Sequence, residues 1–397
     1  MSLSGPIYLP RGFRFSALAA GIKASGKPDL ALITAGPRTS AAAMFTRNLV
    51  VAAPVQVGRV ALKASRGRVR AVIVNSGNAN CATGSAGKRA CKQVCAKTAK
   101  RLDVSSAQVF PCSTGIIGVP LPVEKIESRL AELSATAESS VERLRAFADA
   151  ILTTDTRAKL ASAPLKSGKA AITGVAKGSG MIHPNLATML VYLMTDVVAT
   201  PAELRGTLRT ACDDSFNLIS VDGDTSTNDT VLLLASGESG VALKSVRREF
   251  EAALLEVCRS LAKQIAADGE GVQHLIHLKI EQARNRAEAL QVARAIAHSL
   301  LVKTAWAGAD PNWGRILAAA GRSGVALDPA KITICIGDQT VCRGSVACDF
   351  NAELAHQELM KPECSVAVSL GRGKASLDFL TTDLTQEYVR INADYST

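Results

Sequence analysis

The stretch Lys177-Gly-Ser-Gly-Met-Ile-His-Pro-Asn-Leu-Ala-Thr-Met-Leu190 sets a small residue, Ala187, directly before a hydroxyl, Thr188. A glycine-rich loop precedes the pair, and an apolar run from Met189 to Met194 follows it. A Thr hydroxyl held in a strained turn at the mouth of a strand can attack the carbonyl before it. The ester formed then hydrolyses and leaves the Thr as a new N-terminus. Such a residue carries its own base, because a free α-amino group has a pKa of about 7.7–8.0 and can take the proton of the neighbouring hydroxyl. Taken alone, Ala-Thr better fits a hydroxyl that merely opens a buried strand.

Three other segments, and the Lys that opens the first, hold groups that acyl chemistry would need. Ser113-Thr114-Gly115 follows the strand-like Gln108-Val109-Phe110. A glycine there lets backbone approach a ligand closely, and the Thr114 hydroxyl with adjacent N–H groups could receive the oxyanion of a tetrahedral intermediate; an ordinary turn fits as well. Thr153-Thr154-Asp155 ends a helical stretch and reads as a cap or an Asx turn. Lys177 lies across the glycine loop from Thr188, where it could lower the pKa of a reactive amine or pair with a substrate carboxylate, or simply face solvent. Asp268-Gly-Glu-Gly271 closes a long helix, with glycine as a stop signal and Glu270 facing what lies beyond the helix end.

Two tempting motifs fail. Asp222-Gly-Asp-Thr-Ser-Thr-Asn begins like a calcium loop but has Thr227 at the sixth position and Leu233 at the twelfth, where Gly and Glu are needed. It reads as a polar turn. Thr83-Gly-Ser-Ala-Gly-Lys88 lacks the first Gly and the final Ser/Thr of a phosphate loop, with Ala82 and Arg89 in their places.

The segment around Thr188 resembles the self-cleavage signature of the ornithine acetyltransferase family, also called the bifunctional glutamate N-acetyltransferase family of arginine biosynthesis. The resemblance recurs, in the family's order, in Asn75-Ser-Gly-Asn-Ala-Asn80, Ser113-Thr-Gly-Ile-Ile-Gly118, Thr153-Thr-Asp-Thr156, Val221-Asp-Gly-Asp-Thr-Ser-Thr-Asn-Asp-Thr230, Asp268-Gly-Glu-Gly271, Asp310-Pro-Asn-Trp-Gly-Arg315 and Ile391-Asn-Ala-Asp-Tyr395. It implies cleavage between Ala187 and Thr188, giving an alpha fragment, 1–187, and a beta fragment, 188–397, that assemble as two copies of each. It implies Thr188 as nucleophile and Thr114 with Gly115 as oxyanion hole. Thr154, Lys177, Thr188, Glu270, Asn392 and Thr397 would contact substrate, Glu270 by holding the substrate's ammonium group. The implied reaction is ping-pong acetyl transfer from N2-acetylornithine to glutamate, with acetyl-CoA as a possible further donor and no metal or bound cofactor. Glu281-Gln-Ala-Arg284 departs from the family's Gly-Ala turn. An N-terminal-nucleophile amidase or aminopeptidase of the same fold is the alternative, and a basic binding protein a more distant one.

These groups need a scaffold. At 397 residues, 47% hydrophobic and 20% charged, the chain can bury a large core in two lobes or one layered unit. Strands are expected at 30–34, 42–45, 69–74, 171–175, 189–198, 231–235, 275–280, 332–336, 341–343, 365–370 and 376–381. Helices are expected at 87–102, 123–152 with an interruption, 201–212 capped by Thr200, 245–268 and 287–299. The apolar Tyr388-Val-Arg-Ile391 predicts an anchored C-terminal strand. This alternation argues for an α/β or α+β layered fold. The resemblance adds a sheet sandwich flanked by helices, N-terminal-nucleophile-like, with a smaller C-terminal lobe.

The formal charge is +11, but the basic residues are scattered and not interleaved with aromatics, so nucleic acid is not the expected partner. Anionic substrates such as amino-acid carboxylates suit that surface better. No uncharged run approaches the ~20 residues of a membrane span. The N-terminal Met-Ser-Leu-Ser-Gly-Pro has no apolar core region, and the ten cysteines include no Cys-x-x-Cys, so free thiols in a reducing cytoplasm are expected. His274 and His277 are expected to be structural, pointing to opposite faces of a strand.

Overall fold

The computed structural model describes residues 6–166, 168–183 and 189–394. Ala187, Thr188 and Thr397 therefore lie outside the described residues. In chain order the strands are β1 (Phe13–Leu18), β2 (Leu30–Ala35), β3 (Ser40–Phe45), β4 (Ala71–Asn78), β5 (Val109–Ile116), β6 (Lys159–Pro164), β7 (Ala171–Lys177), β8 (Leu190–Thr195), β9 (Thr230–Ala235), β10 (Leu275–Ala283), β11 (Thr333–Ile336), β12 (Gln339–Arg343), β13 (Val346–Ala347), β14 (Glu363–Ser369) and β15 (Ala375–Thr382). The helices are α1 (Ala53–Ala64), α2 (Gly84–Leu102), α3 (Val123–Ala135), α4 (Val141–Ala150), α5 (Pro201–Asp213), α6 (Arg247–Ala267), α7 (Arg286–Ala297), α8 (Leu300–Ala307), α9 (Trp313–Gly321), α10 (Ala352–Leu359) and α11 (Gln386–Asp394).

Three sheets result, with strand orders β1-β2-β4-β5, β3-β9-β8-β7-β6 and β13-β12-β11-β14-β10-β15. The unbroken apolar run of β8 follows from its central place, because a strand covered on both faces has no reason to alternate. Leu190, Tyr192 and Met194 pack with Phe15, Ile33, Val72, Val74 and Phe110 of the first sheet. Val191 and Leu193 pack the other way, against Leu208 of α5 and Leu254, Val257 and Leu261 of α6. The outer face of the first sheet, through Leu30, Leu32, Ile73 and Val109, is covered by α2 and α3. The main body is thus helix, sheet, sheet, helix, the layered α/β sandwich expected. The third sheet forms a C-terminal lobe with its own core, backed by α7 and α9. Ser220 N–H donates to Leu380 O at 2.9 Å and ties that lobe to the sandwich.

Local signals explain several helix starts. Thr200 and Glu203 form the reciprocal capping box at the start of α5. The expected helix over 123–152 breaks into α3 and α4, and between them Glu138 pairs by backbone with Phe15. At Glu281–Arg284 the chain does not turn. β10 continues through a bulge, with Gln282 at φ 51° and a register shift against β15.

The C-terminal expectation is overturned. Residues 386–394 form helix α11, not a strand. Thr385 Oγ1 accepts the Tyr388 N–H at 3.3 Å and caps the first turn, and the same hydroxyl donates to Gly271 O at 2.7 Å. Gly271 has φ +67°, and a Cβ there would overlap the Tyr388 backbone, so a glycine is what lets α11 dock on the end of α6. His274 Nδ1 meets Lys361 O and His277 Nε2 meets Glu363, both in structural contacts. All ten cysteines are unpaired, and eight are buried.

Candidate active site

The site begins where β4 and β5 part. They run parallel in register from Ala71↔Val109 until the ladder slips at Gly77 and Asn78, opposite Thr114 to Ile116. Gly115 sits at φ +130°, and a Cβ on it would lie 2.5 Å from Asn78 N. Only glycine permits that approach. The Asn75–Asn80 block holds this corner together: Ser113 Oγ donates to Asn75 Oδ1 at 2.6 Å, Asn75 Nδ2 to Asn78 O at 2.8 Å, and Asn80 Nδ2 to Gly87 O at 3.0 Å. Asn228, just before β9, crosses from the second sheet. Its Nδ2 donates to Ala79 O at 2.7 Å and Ser113 O at 2.9 Å. The peptide that bears the Thr114 N–H is therefore fixed through its own carbonyl.

Opposite lies a buried charge array. Lys177, the last residue of β7, donates to Thr153 Oγ1 at 2.8 Å and lies 3.6 Å from Asp155. Asp155 also accepts from Lys159 at 2.7 Å and Gly178 N–H at 2.6 Å. Lys159 reaches Asp268 at 2.6 Å, and Asp268 accepts from Thr156 as well. The Lys159 and Asp155 side chains are fully buried. Burial alone would raise the Asp155 carboxyl, yet Lys177 and Lys159 beside it hold it well below the usual carboxylate range.

Glu270 completes the array. Its N–H donates to Ser179 O, and its Oε2 accepts from Asn392 Nδ2 of α11 at 2.8 Å. Asp222 accepts the N–H groups of Met181 at 2.6 Å and Ile182 at 2.9 Å, pinning the glycine loop where Met181 takes φ 55°. Burial pushes the Asp222 carboxyl up to about 6, against the N–H groups of Asp224 and Met181. Further along the same segment, His183 Nδ1 and the His298 ring meet at 3.1 Å. Burial, with Arg294 nearby, pushes His183 down to about 4, and burial with His183 itself pushes His298 down to about 3, so the pair is neutral at pH 7.

These walls enclose a cavity of about 280 Å³. Thr114, Gly115, Thr153, Thr154, Lys177, Glu270 and Asn392 all line it, so each sequence-derived candidate among the described residues reaches one place. Of the two threonines, it is Thr153 whose hydroxyl accepts from Lys177. A cation at one wall and carboxylates at the other match a ligand bearing both a carboxylate and an ammonium group. Sequence reasoning missed the Asp155–Lys159–Asp268 chain, the Asn228 crossing and the two histidines. Only the Val221–Thr230 block carried a signal for Asn228, as a polar turn.

The sequence profile described as the ArgJ family matches residues 14–397. The chain is 47% identical over 392 residues to the arginine biosynthesis bifunctional protein ArgJ of Thermus thermophilus, covering 98% of this chain and 100% of that protein. It is 42% identical to the protein of the same name from Chlorobaculum tepidum, covering 99% and 97%. Among solved structures, ArgJ of Bacillus halodurans is 40% identical, with a TM-score of 0.49 over 51% of this chain and 98% of that one. Ornithine acetyltransferase of Mycobacterium tuberculosis, solved with ornithine, is 38% identical with a TM-score of 0.43, covering 46% and 94%. A profile matched to almost the whole chain, and relatives above 40% identity along nearly their full length, make this protein a member of the ArgJ family.

Proposed function

We propose that the cavity moves an acetyl group from N2-acetylornithine to glutamate through an ester on Thr188, after the chain has cleaved itself between Ala187 and Thr188. Membership of the family makes the protein an ornithine acetyltransferase of arginine biosynthesis; the steps below are the proposal. Thr188 Oγ attacks the acetyl carbonyl while its own α-amine takes the hydroxyl proton. Thr114 and Gly115 hold the oxyanion. The tetrahedral intermediate collapses, ornithine leaves with the proton on its α-nitrogen, and the glutamate amine attacks the ester in the second half-reaction. Lys177 takes the α-carboxylate common to both amino acids. Glu270, steadied by Asn392, takes ornithine's side-chain ammonium, and Thr154 and Thr397 complete the contacts.

The observation that carries this reading is the convergence of Lys177, Glu270, Thr114 and Gly115 on one cavity. The first described residue of the adjoining segment, Met189, is one peptide bond from Thr188. The proposal extends to two copies each of fragments 1–187 and 188–397 in the cytoplasm, and to acetyl-CoA as a second donor, in keeping with the relatives' bifunctional name.

Intact mass under denaturing conditions tests the first step. Two species, residues 1–187 and 188–397, are expected, and Thr188→Ala is expected to leave one full-length, inactive chain. Transfer activity surviving in that variant would end the Thr188 mechanism. Product analysis with and without glutamate separates transfer from the amidase alternative, in which water takes the acyl group at an undiminished rate.

A further inference from the structure

Polar and charged side chains make up most of the cavity lining. Among the described residues that line it, Tyr388 apart, the apolar side chains are Ala79, Ile117 and Met181. They stand at different ends. Met181 follows Gly180 in the glycine loop, and a Cβ on Gly180 would lie 2.5 Å from Glu270 Oε1, so Met181 belongs with the carboxylates. Ala79 and Ile117 directly follow the last residues of β4 and β5, beside the Gly115 corner.

That apolar corner cannot recede. Ala79 N–H donates to Ile116 O at 2.9 Å and Gly118 N–H donates to Cys81 O at 2.9 Å, so the backbone of Ile117 is tied on both sides. Its side chain packs on Ala52, Ala79 and Cys81, all buried. Ala52 N–H donates in turn to Thr227 O at 3.1 Å, and Asn228 Nδ2 holds Ala79 O at 2.7 Å. A wall packed and bonded in this way takes no extra methylene without strain.

The acyl group is the part of the substrate that has to meet this corner. Its carbonyl oxygen is directed at Thr114 and Gly115. The amino-acid part, on the nitrogen side of that carbonyl, runs toward Lys177 and Glu270. The remaining substituent is the alkyl chain, and pressing it on the charged wall would desolvate groups with no hydrogen bond in return. Ala79 and Ile117 are the apolar surface within reach.

We propose that Ile117, backed by Ala79, is the specificity-determining residue that limits the transferred acyl group to two carbons. The inference rests on the assignment of Thr114 and Gly115 as the oxyanion site. Ile117 touches the alkyl chain and neither amino acid, so it sorts donors by acyl length in the first half-reaction and leaves recognition of ornithine and glutamate to the charged wall.

The test compares N2-acetyl-, N2-propionyl- and N2-butyrylornithine as donors to glutamate. All three are measured on one preparation of each enzyme, so that misfolded protein cancels from the ratios of kcat/KM. Such pockets discriminate by roughly 10- to 200-fold per methylene, so wild type is expected to prefer acetyl over butyryl by about 100-fold or more. Ile117→Ala is expected to shrink that preference by about 10-fold or more. Ile117→Val removes a single methylene and should move the propionyl ratio the same way by less, which keeps the question open to test where the alanine variant does not fold. A wild type that uses butyryl as readily as acetyl overturns the proposal. So does an acyl ratio unmoved in the folded variants while kcat/KM falls for all three donors alike, since that is what a merely structural Ile117 would give. A wild type that transfers no acetyl at all refutes instead the reading of the cavity on which the inference rests.

Discussion

Lys159→Met isolates the buried charge array from the chemistry it supports. The substitution keeps the volume and removes the cation that joins Asp155 at 2.7 Å and Asp268 at 2.6 Å. Both carboxylates are buried, so screening by solvent gives little relief, and breaking such an array is expected to destabilise by about 3–5 kcal/mol. At about 2.1 cal/mol/K per residue, the unfolding entropy of this chain is roughly 0.8 kcal/mol/K, so Tm falls by about 4–6 °C. Asp155 then leans on Lys177 alone of the two lysines that hold its carboxyl down, and drawing Lys177 toward Asp155 would weaken the grip on a substrate carboxylate proposed for it above. KM for acetylornithine should rise. The sign with pH is fixed by Asp155, whose folded pKa is depressed. Its stabilisation is present above the unfolded value of about 3.9 and is lost as pH falls below it. The gap between wild type and variant should therefore narrow as pH approaches ~4, where protonation relieves the unpaired carboxylates. Denaturant unfolding at several pH values, paired with KM at pH 7.5, is the assay. A variant within about 1 kcal/mol of wild type at pH 7 with unchanged KM would show that the array positions nothing.

Three further substitutions probe the rest of the site. Gly115→Ala forces a Cβ into the β4–β5 corner, and kcat should drop about 100-fold or more, as when one oxyanion donor is lost; steady-state kinetics with a near-wild-type rate would mean the corner is not the oxyanion site. Asn228→Ala frees the Ala79 and Ser113 carbonyls, and kcat is expected to fall about 10- to 100-fold with KM little changed; a matching rise in KM instead would assign Asn228 to substrate binding. Asp222→Asn should flatten a slope in stability. The Asp222 carboxyl is raised to about 6 in the folded protein, so its ionisation opposes folding and wild-type stability declines as pH rises from about 4 through 6. Urea midpoints across that range should show the decline in wild type and not in the variant.

Much of the scaffold could be read from the chain because its elements are locally decided. β8 is an apolar run too polar-free for a surface strand, and Thr200 with Glu203 spells out a helix start. The C-terminal helix could not be read that way. Tyr388 to Ile391 offers four residues, too few to separate a period of two from one of 3.6, and the useful sign was Thr385 three residues ahead of Tyr388. The site residues came together through resemblance more than through spacing. Asp155, Lys159 and Asp268 belong to a loop end, a strand and a helix end, and nothing in their order predicts that they meet. Asn228 likewise acts on carbonyls more than a hundred positions away, at Ser113 and Ala79, and such long-range pairing leaves no local trace.

The strand order β3-β9-β8-β7-β6 threads residues from both sides of position 187 through one sheet, with β7 and β8 adjacent and antiparallel. A backbone cut between them would sever the chain without dividing the body. Neither length holds the whole of that sheet: the earlier one would lack β8 and β9, and the later one would expose both sides of that pair. A scission here has to come after folding, and its two products would be partners for life, unable to trade places with copies made by a neighbouring molecule. Supplying the two lengths from separate genes would pose a folding problem that a single continuous chain avoids.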